Sequence, residues 1–364
     1  MHSLSHPFFS IIITVYNKRE YLTRCLNSLV HLNANYEVII IDDCSQDGSV
    51  AIAKEYAARN TFFRLIELGS NHDVSHARNL GVSEAQGEYI LFADGDDWFT
   101  VGSLDTVEQL LERNDYPQVG IFAYKRYTNF NYENTITFTR HLNSRKHLIN
   151  ANRTLDLYAN SKLCASPWNK VFQRQYWIDG GFQWPNTEEL YSSLLGSEDF
   201  AILPYAICKA EKTLISDFDF YNYNVNVSSK SATGSLENIK ASLYSGYSLA
   251  DKFAQDEEFK EQSNINIHGL VFSHFRYVFN LNKHSISKEY IQLFFDMTDK
   301  YIESYSVQVN KYNRQSIQRF YRDIRTACDN HNYTYNAPRK ELLRPRSKSF
   351  GKRLKRLLKK YRSL

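Results

Sequence analysis

The sequence is poor in the features that hold small secreted domains or structural zinc sites together. Its 364 residues include five cysteines, which are scattered, odd in number and form no CxxC pair. This pattern argues against a disulfide framework and against a zinc site, and it is typical of a protein in a reducing compartment.

Long apolar runs are also lacking. No stretch of about 18 consecutive apolar residues occurs, so we expect no membrane-spanning segment. The early stretch PFFSIIITV is short, with neither a basic segment nor a small-residue cleavage site, and we interpret it as a strand rather than a signal peptide. The chain has VYNKRE after this strand instead of a G-x-G-x-x-G turn, which argues against a dinucleotide-dependent dehydrogenase.

Charge is distributed unevenly along the chain. From Arg339 to the end, twelve Lys or Arg residues face one Glu, a net charge of +11, whereas the whole chain carries +4. The difference leaves −7 on the preceding residues, and this mildly acidic body disfavours a nucleic-acid-binding function. Aromatic residues make up 15% of the chain, which suits either sugar-binding surfaces or ordinary core packing.

The first part of the chain alternates strand-like and helix-like segments. The predicted strands cover residues 9–15, 36–42, 62–68 and 89–94, and the predicted helices cover 18–32, 49–59 and 74–85. This alternation predicts a mainly parallel sheet covered by helices. Ligands bind such sheets at the carboxyl ends of the strands, where polar clusters at 14–17, 42–43 and 94–97 follow three of the predicted strands.

Three aspartates crowd the end of the fourth predicted strand, in YILFADGDD. Like charges this close raise one another's pKa unless a metal ion, a helix N-terminus or a basic side chain compensates them. An Asp-x-Asp pair offers hard oxygen ligands to Mg²⁺ or Mn²⁺, which keep positions open for substrate phosphates. The competing interpretation is a solvated acidic loop that caps the following helix.

The composition changes after about residue 215. Segment 218–229 is polar and strand-like or irregular, and helix-like segments such as 266–281 follow to about residue 330. Residues 336–349 are charged, contain two prolines and are typical of a linker. Residues 350–364 place an apolar stripe beside basic residues, which predicts a membrane-surface helix, although a solvated helix or a nucleic-acid contact would show the same pattern.

Several motifs together resemble the family 2 glycosyltransferases over roughly residues 8–230. They are IIITVYNKREYLTRCLNSL, VIIIDDCSQDGS, NHDVSHARNLGVSEAQGEYILFADGDD, GSEDF, SPWNKVFQRQYW and YNYNVNVSS. The resemblance implies a GT-A (Rossmann-like) α/β nucleotide-sugar-binding domain at 1–215. A mostly helical region is expected at 216–335, and a basic linker with an amphipathic membrane-association tail at 336–364.

The resemblance also implies roles for individual residues. The expected nucleotide-sugar contacts are Thr14, Val15, Tyr16, Asn17, Asp42, Asp43, Arg78, Asn79, Asp94 and Gly95. The expected metal ligands are Asp94 and Asp96, and the expected catalytic base is Asp199. Candidate acceptor or sugar contacts are Asp97, Trp98, Trp168, Lys170 and Glu198.

Structural alternatives accompany three of these roles. The alternative for Asp199 is a surface acid at the start of a helix, and Arg78 could pair with a local acid. Packing is the alternative role of Trp168 and Lys170. Relatives usually have glycine where this chain has Asp73, so the local loop is expected to differ. Some relatives complete the metal shell with a histidine, and the sequence assigns none here.

The implied activity is inverting, metal-dependent transfer of a sugar from a nucleotide-sugar donor, UDP-linked, to a saccharide hydroxyl. The expected acceptor is a lipid-linked saccharide in bacterial surface-polysaccharide synthesis, and no nucleic-acid partner is expected. The tail would bind an anionic membrane surface and place the protein in the cytoplasm at the inner face of the cell membrane. The competing hypothesis is a non-catalytic nucleotide-sugar-binding or glycan-binding homologue.

Overall fold

The computed structural model forms two compact units. It describes residues 6–30, 35–137, 148–160, 162–185, 197–225, 236–260, 267–281, 287–305, 307 and 313–330. The first unit comprises Met1–Thr154, Lys162–Ser192 and Glu198–Ala232, and the second comprises Leu155–Ser161, Ser193–Ser197 and Thr233–Leu364. The predicted linker and tail, 336–364, lie outside the described residues.

The first unit is built on a ten-stranded sheet in the described part of the chain. The strands are β1 (Phe9–Val15), β2 (Tyr36–Asp42), β3 (Phe63–Glu67), β4 (Tyr89–Asp94), β5 (Trp98–Phe99), β6 (Val119–Thr128), β7 (Asn131–Ile136), β8 (Leu148–Ile149), β9 (Lys170–Gln173) and β10 (Thr213–Val225). Their order is β3-β2-β1-β4-β9-β6-β10-β5, with β7 beside β6 and β8 beside β10.

The helices cover the rest of the described elements. They are α1 (Arg19–Val30), α2 (Ser49–Arg59), α3 (Val74–Glu84), α4 (Ser103–Arg113), α5 (Ala151–Ala159), α6 (Arg174–Asp179), α7 (Glu198–Cys208), α8 (Leu236–Gln255), α9 (Glu257–Lys260), α10 (Ile267–Leu281), α11 (Lys288–Ser304) and α12 (Arg314–Asn330). None of the helices in the described ranges is both long and apolar enough to cross a membrane.

Strands β1 to β4 form the parallel part of the sheet. β1 lies between β2 and β4 and pairs in parallel with both. Strands covered on both faces are apolar without alternation, which explains why Ile11, Ile12 and Ile13 are all fully buried. Helix α1 repeats apolar residues at helical spacing and buries Leu22 and Leu26 in the same core.

The remaining sheet is mixed. β9 lies antiparallel between β4 and β6, β10 pairs in parallel with β6, and β5 pairs antiparallel with β10. The expectation of an α/β fold with a mainly parallel sheet is confirmed, and the antiparallel β9 is a feature that the alternation did not predict. β10 runs across the domain boundary predicted at residue 215.

The second unit is helical, as expected for the C-terminal region. Helix α10 packs against α8 and α12 around a core rich in aromatic side chains, including Phe272, Phe275, Phe294, Tyr301 and Phe320. Aromatic rings bury much area per residue, so a core of this kind stabilises a small helical unit effectively.

Candidate active site

The carboxyl ends of β1, β2 and β4 meet at one edge of the sheet in the first unit. The strand register places Thr14 opposite Asp94 and Val15 opposite Asp42. Beyond β4, the N–H of Gly95 donates to the carbonyl of Thr14 at 3.1 Å. The polar segments that follow these strands therefore lie side by side, where the parallel topology predicts a ligand site.

The loop after β1 is tied to the loop after β2. Asn17 has a left-handed backbone with φ of 52°, its N–H donates to the Ser45 hydroxyl at 2.9 Å, and its side-chain oxygen accepts from the Gln46 N–H at 2.8 Å. Asparagine tolerates this conformation better than most residues. These bonds hold Asn17 and the half-buried Tyr16 at the site edge, and their predicted ligand contacts stay predictions.

Asp42 and Asp43, at the end of β2, differ in whether both carboxylate oxygens already accept a hydrogen bond. The Asp43 carboxylate accepts from the Asn71 amide and from the His72 N–H, each at 2.8 Å. Asp42 accepts from the Ser45 N–H at 2.9 Å, and its buried second oxygen has no partner among the described residues. Because a buried acceptor without a donor is costly, Asp42 is the better candidate to accept from a bound nucleotide.

The turn before α3 explains why glycine would suit position 73. Asp73 has φ of 147° and ψ of 174°, a backbone region that residues with a side chain rarely adopt. Its carboxylate accepts from the His76 N–H at 2.8 Å and so caps α3. The cap compensates part of the backbone strain, which is how aspartate is tolerated here.

Helix α3 approaches the sheet closely through Gly81. A Cβ built on Gly81 would lie 2.3 Å from Cγ2 of Ile12, so a side chain at this position would push the helix off β1. Arg78 and Asn79 lie one turn N-terminal to Gly81 in α3. The close packing of the helix therefore places them at the carboxyl edge of the strands.

Arg78 joins three parts of the site. It is 4% exposed, donates to Glu198 Oε1 at 2.8 Å, lies 3.3 Å from Asp94 Oδ1 and stacks 4.6 Å from the ring centroid of Trp184. The Asn79 amide exchanges two hydrogen bonds of 2.9 Å with the backbone of Trp184. Pairing with acids, the structural alternative for Arg78, is therefore observed, and the predicted nucleotide contacts of both residues stay predictions.

Asp199 lies in the first turn of α7, beside this ion pair. Its carboxylate accepts from the Phe200 N–H at 2.8 Å. Burial, together with the charge of Glu198, raises the pKa of Asp199 to about 7, and the charges of Arg78 and Lys170 oppose the rise. A carboxylate whose pKa lies near neutral pH is suited to general-base catalysis.

Asp97 is buried and ties β10 to the turn after β4. Its two oxygens accept from the Tyr221 hydroxyl at 2.8 Å and from the Asn224 N–H at 2.7 Å. Burial, then the charges of Asp96 and Asp94, raise the pKa of Asp97 well above its usual range. With 2% exposure, Asp97 supports the turn, and nothing in its surroundings marks it as an acceptor contact.

Asp94 and Asp96 each face a basic side chain. Asp96 forms an ion pair with Lys18, and Asp94 accepts from the Thr14 hydroxyl at 3.4 Å besides its contact with Arg78. Burial raises the pKa of Asp96, and the charge of Lys18 opposes the rise. A basic side chain was one of the expected ways to compensate the aspartates, but no local pattern in the sequence marks Lys18 as that residue.

The remaining predicted contacts are packed into the protein. The ammonium of Lys170 is buried and donates to Cys164 O at 2.9 Å, Ser166 O at 2.5 Å and Asn169 Oδ1 at 2.7 Å. Burial lowers the pKa of Lys170. These bonds close the turn before β9, which matches the packing alternative given for Lys170.

Trp168 and Trp98 also have intramolecular partners. The Trp168 ring stacks on Tyr221 and Tyr223, with centroids 5.3 and 4.7 Å apart. The Trp98 ring carries the guanidinium of Arg24 at 4.1 Å from its centroid. Trp168 is buried at 6% exposure, so Trp98, which is only half-buried, is the better candidate for a sugar contact.

The carboxylates can supply part of a divalent-cation site. Among the described residues no group of three His, Cys, Asp or Glu side chains converges on one point. Asp94 has one-third of its side chain exposed, at 32%, and no described residue donates to its Oδ2. Magnesium and manganese sites of nucleotide enzymes use one or two carboxylates and complete the shell with phosphates and water, which Asp94 and Asp96 fit.

Comparison with known proteins finds a family similar to part of this chain. The model of the family described as Glycosyl transferase family 2 matches residues 10–178. The putative glycosyltransferase EpsH of Bacillus subtilis is 32% identical over 173 residues, covering 46% of this chain and 47% of that protein. The uncharacterized glycosyltransferase EpsJ of the same organism is 35% identical over 121 residues, covering 33% and 35%. The matches thus span between a third and a half of these relatives.

A solved structure shows a similar fold over nearly the whole chain. The crystal structure of Staphylococcus aureus TarS 1–349 in complex with UDP has a TM-score of 0.63 at 20% identity and covers 90% of this chain and 93% of that one. In sequence, the poly(ribitol-phosphate) β-N-acetylglucosaminyltransferase TarS is 32% identical over 111 residues, covering 29% of this chain and 19% of that protein. The expected GT-A fold is confirmed.

The Arg78–Glu198 pair can be tested by a double-mutant cycle. We expect Arg78→Gln to lower the free energy of unfolding by about 3–5 kcal/mol, because it leaves buried carboxylates unpaired. The double variant Arg78→Gln, Glu198→Gln should be more stable than the sum of the single effects predicts. Urea unfolding provides the measurement.

An exposed pair is the matched control for this cycle. Arg59 pairs with Glu55 at 2.7 Å on the surface of α2, and Arg59→Gln should cost at most about 1 kcal/mol. Effects of Arg78→Gln and Glu198→Gln that simply add would contradict the coupling described above.

Proposed function

We propose, on the premise that residues 10–178 form a glycosyl transferase family 2 domain, that the protein is an inverting, metal-dependent glycosyltransferase. It would move a sugar from a nucleotide-sugar donor to a hydroxyl of a saccharide acceptor. The observation that carries the proposal is the Arg78 bridge. A single buried guanidinium contacts both Asp94 and Glu198 at the start of α7, and so connects the edge proposed to bind the cation to the carboxylate proposed as the base.

The donor would bind at the carboxyl edge of the sheet. The Oδ2 atom of Asp42 has no hydrogen-bond partner in the described part of the chain and could accept from an N–H or a hydroxyl of the nucleoside. It would do so next to Thr14, Val15 and Tyr16. Asp94 and Asp96 would hold Mn²⁺ or Mg²⁺ against the diphosphate. A bound divalent metal neutralises the charge that develops on a departing nucleoside diphosphate.

Asp199 would act on the acceptor. Its carboxylate, once deprotonated, can take the proton of an acceptor hydroxyl as that hydroxyl attacks the anomeric carbon. A single displacement inverts the anomeric centre, so an α-linked donor gives a β-linked product. The anomeric coupling constant in the NMR spectrum of the product reports the configuration, and a retained configuration contradicts this mechanism.

The relatives support a class of substrate. A structural neighbour was solved with UDP and another with UDP-GlcNAc, which supports a UDP-linked hexosyl or N-acetylhexosaminyl donor. Curated relatives include the minor teichoic acid biosynthesis protein GgaB and the poly(ribitol-phosphate) β-N-acetylglucosaminyltransferase TarS, which supports a surface polymer such as capsule, O-antigen or lipooligosaccharide as the product. The acceptor would be a saccharide, lipid-linked during assembly.

A non-catalytic binding protein is the second candidate. The observation that favours it is that both motif carboxylates already have basic partners, Lys18 and Arg78, in the protein itself. A screen of nucleotide-sugar donors with Mn²⁺, scored by release of nucleoside diphosphate, separates the two functions. Binding of a donor without any hydrolysis or transfer would favour the binding protein.

The metal role predicts a loss of activity when its ligands are removed. Asp96→Ala should abolish transfer, because the cation loses a ligand. The melting temperature should stay near that of the wild type, because the site is partly exposed. EDTA should have the same effect on the wild type, and added Mn²⁺ or Mg²⁺ should reverse it. Full activity in EDTA would contradict the metal role.

The base predicts a pH dependence. Because the pKa of Asp199 is raised to about 7, the active deprotonated form is scarce below that pH, and kcat/KM should rise through pH 6 to 8 and then level off. Asp199→Asn should lower the rate by about 10²–10⁴-fold and remove this dependence. Donor affinity should be retained. A variant within a few-fold of wild type would assign the base elsewhere, with Glu198 as the next candidate.

Membrane attachment through the basic tail is a further part of the proposal. Residues 350–364 carry seven Lys or Arg beside an apolar stripe, and each basic residue near an anionic surface contributes about 1 kcal/mol. This would hold a cytoplasmic protein at the inner face of the membrane, next to a lipid-linked acceptor. Flotation with anionic liposomes should require residues 338–364 and weaken with salt. Equal flotation of the truncated chain would contradict the anchor.

A further inference from the structure

The backbone of Lys18 is fixed by hydrogen bonds at the start of α1, beside the turn that follows β4. Its N–H donates to the Ser49 hydroxyl at 2.8 Å, and its carbonyl accepts from the N–H groups of Tyr21 and Leu22 at 2.9 Å, where α1 begins. A Cβ built on Gly95 would lie 3.5 Å from the Lys18 Cβ. The start of the lysine side chain therefore has a defined place beside the turn that carries the aspartates.

The ammonium end of Lys18 lies in a strongly negative environment. It pairs with Asp96, and the charges of Asp94 and Asp97 act on it as well. The Lys18 side chain remains 26% exposed, whereas that of Arg78 is 5% exposed and is committed to Glu198. Of these two cations at the motif, Lys18 is therefore the one that can leave its carboxylate and reach a ligand.

A divalent cation that binds Asp96 would have to compete with Lys18 for its carboxylate. The Asp96 side chain is 12% exposed, and the oxygen paired with the ammonium is Oδ2. A divalent ion and an ammonium cannot both neutralise one carboxylate without repelling each other at short range. Lysine has a flexible four-carbon stem and a compact charge, so it can move by several ångströms while its backbone stays in place.

We propose that Lys18 is an exchangeable counter-ion of Asp96. In the structure it pairs with Asp96 and neutralises it. When a divalent cation and a nucleoside diphosphate bind, the ammonium leaves the carboxylate and pairs with a diphosphate oxygen, so the two partners exchange without leaving a charge unpaired. This inference rests on the proposed function, because it assumes that Asp96 is a metal ligand. It makes Lys18 a donor-binding residue that couples metal binding to donor binding.

The exchange predicts opposite effects of one substitution on two ligands. For the full chain without nucleotide, Lys18→Met should tighten Mn²⁺ binding by at least about tenfold, measured by electron paramagnetic resonance of free Mn²⁺, because the competing ammonium is gone. At saturating Mn²⁺, the same variant should bind UDP at least about tenfold more weakly by calorimetry. Lys18→Gln serves as a second variant if Lys18→Met is poorly folded.

Two controls separate direct competition from a general change in charge. Lys212 pairs with Asp115 at 2.8 Å on the surface, and Lys212→Met, which removes the same charge, should change neither affinity. In an Asp96→Asn background, Lys18→Met should no longer tighten Mn²⁺ binding. A tightening that persists in this background would show a long-range charge effect and overturn the exchange.

The outcomes also distinguish this inference from the proposed function. If Asp96→Asn weakens Mn²⁺ binding but Lys18→Met leaves it unchanged, the exchange is wrong and the metal role stands. If Asp96→Asn leaves Mn²⁺ binding unchanged with and without UDP, the metal role itself is wrong. Equal Mn²⁺ affinities of wild type and Lys18→Met, including no measurable binding by either, overturn the exchange.

Discussion

The site depends on the buried guanidinium of Arg78. Three carboxylates, of Asp94, Glu198 and Asp199, contribute to its electrostatic environment within the first unit. Burying carboxylates together is costly unless a cation compensates them, and arginine can donate to several acceptors in one plane. Helix α3 carries Arg78 and lies against β1 through Gly81. The packing of α3 on β1 therefore determines the position of the Arg78 guanidinium.

Much of the parallel sheet was predictable because its strands are apolar throughout and alternate with amphipathic helices. The predicted limits for β1, β2 and β4 agree with the structure, and β3 differs by one residue at each end. β9 was not predicted, since it has only four residues and its partners, β4 and β6, are recognised only in three dimensions. β10 alternates apolar and polar residues, but the alternation changes phase between Phe220 and Tyr221, and its pairing with β6 is irregular between Ser216 and Tyr221.

The site was predictable in its motifs but not in its internal partners. Thr14, Asp42 and Asp94 lie at the carboxyl ends of strands in one predicted parallel sheet, so their position at one edge of that sheet could be inferred. The contact of Arg78 with Glu198 spans 120 positions, and that of Tyr221 with Asp97 spans 124. No local pattern encodes such distances. Sequence analysis therefore identified acids and bases without showing which ones neutralise each other.

The three aspartates after β4 show how one short turn can combine support and function. Each carboxylate oxygen of Asp97 accepts one hydrogen bond from β10, from the Tyr221 hydroxyl and from the Asn224 N–H. Asp97 therefore stabilises the turn by joining it to β10. Asp94 is contacted by the buried Arg78 and remains one-third exposed. Asp96 pairs with Lys18, whose long side chain is partly exposed. In the proposed exchange, Asp96 differs from the other two aspartates because its charge partner is a partly exposed lysine rather than a buried group.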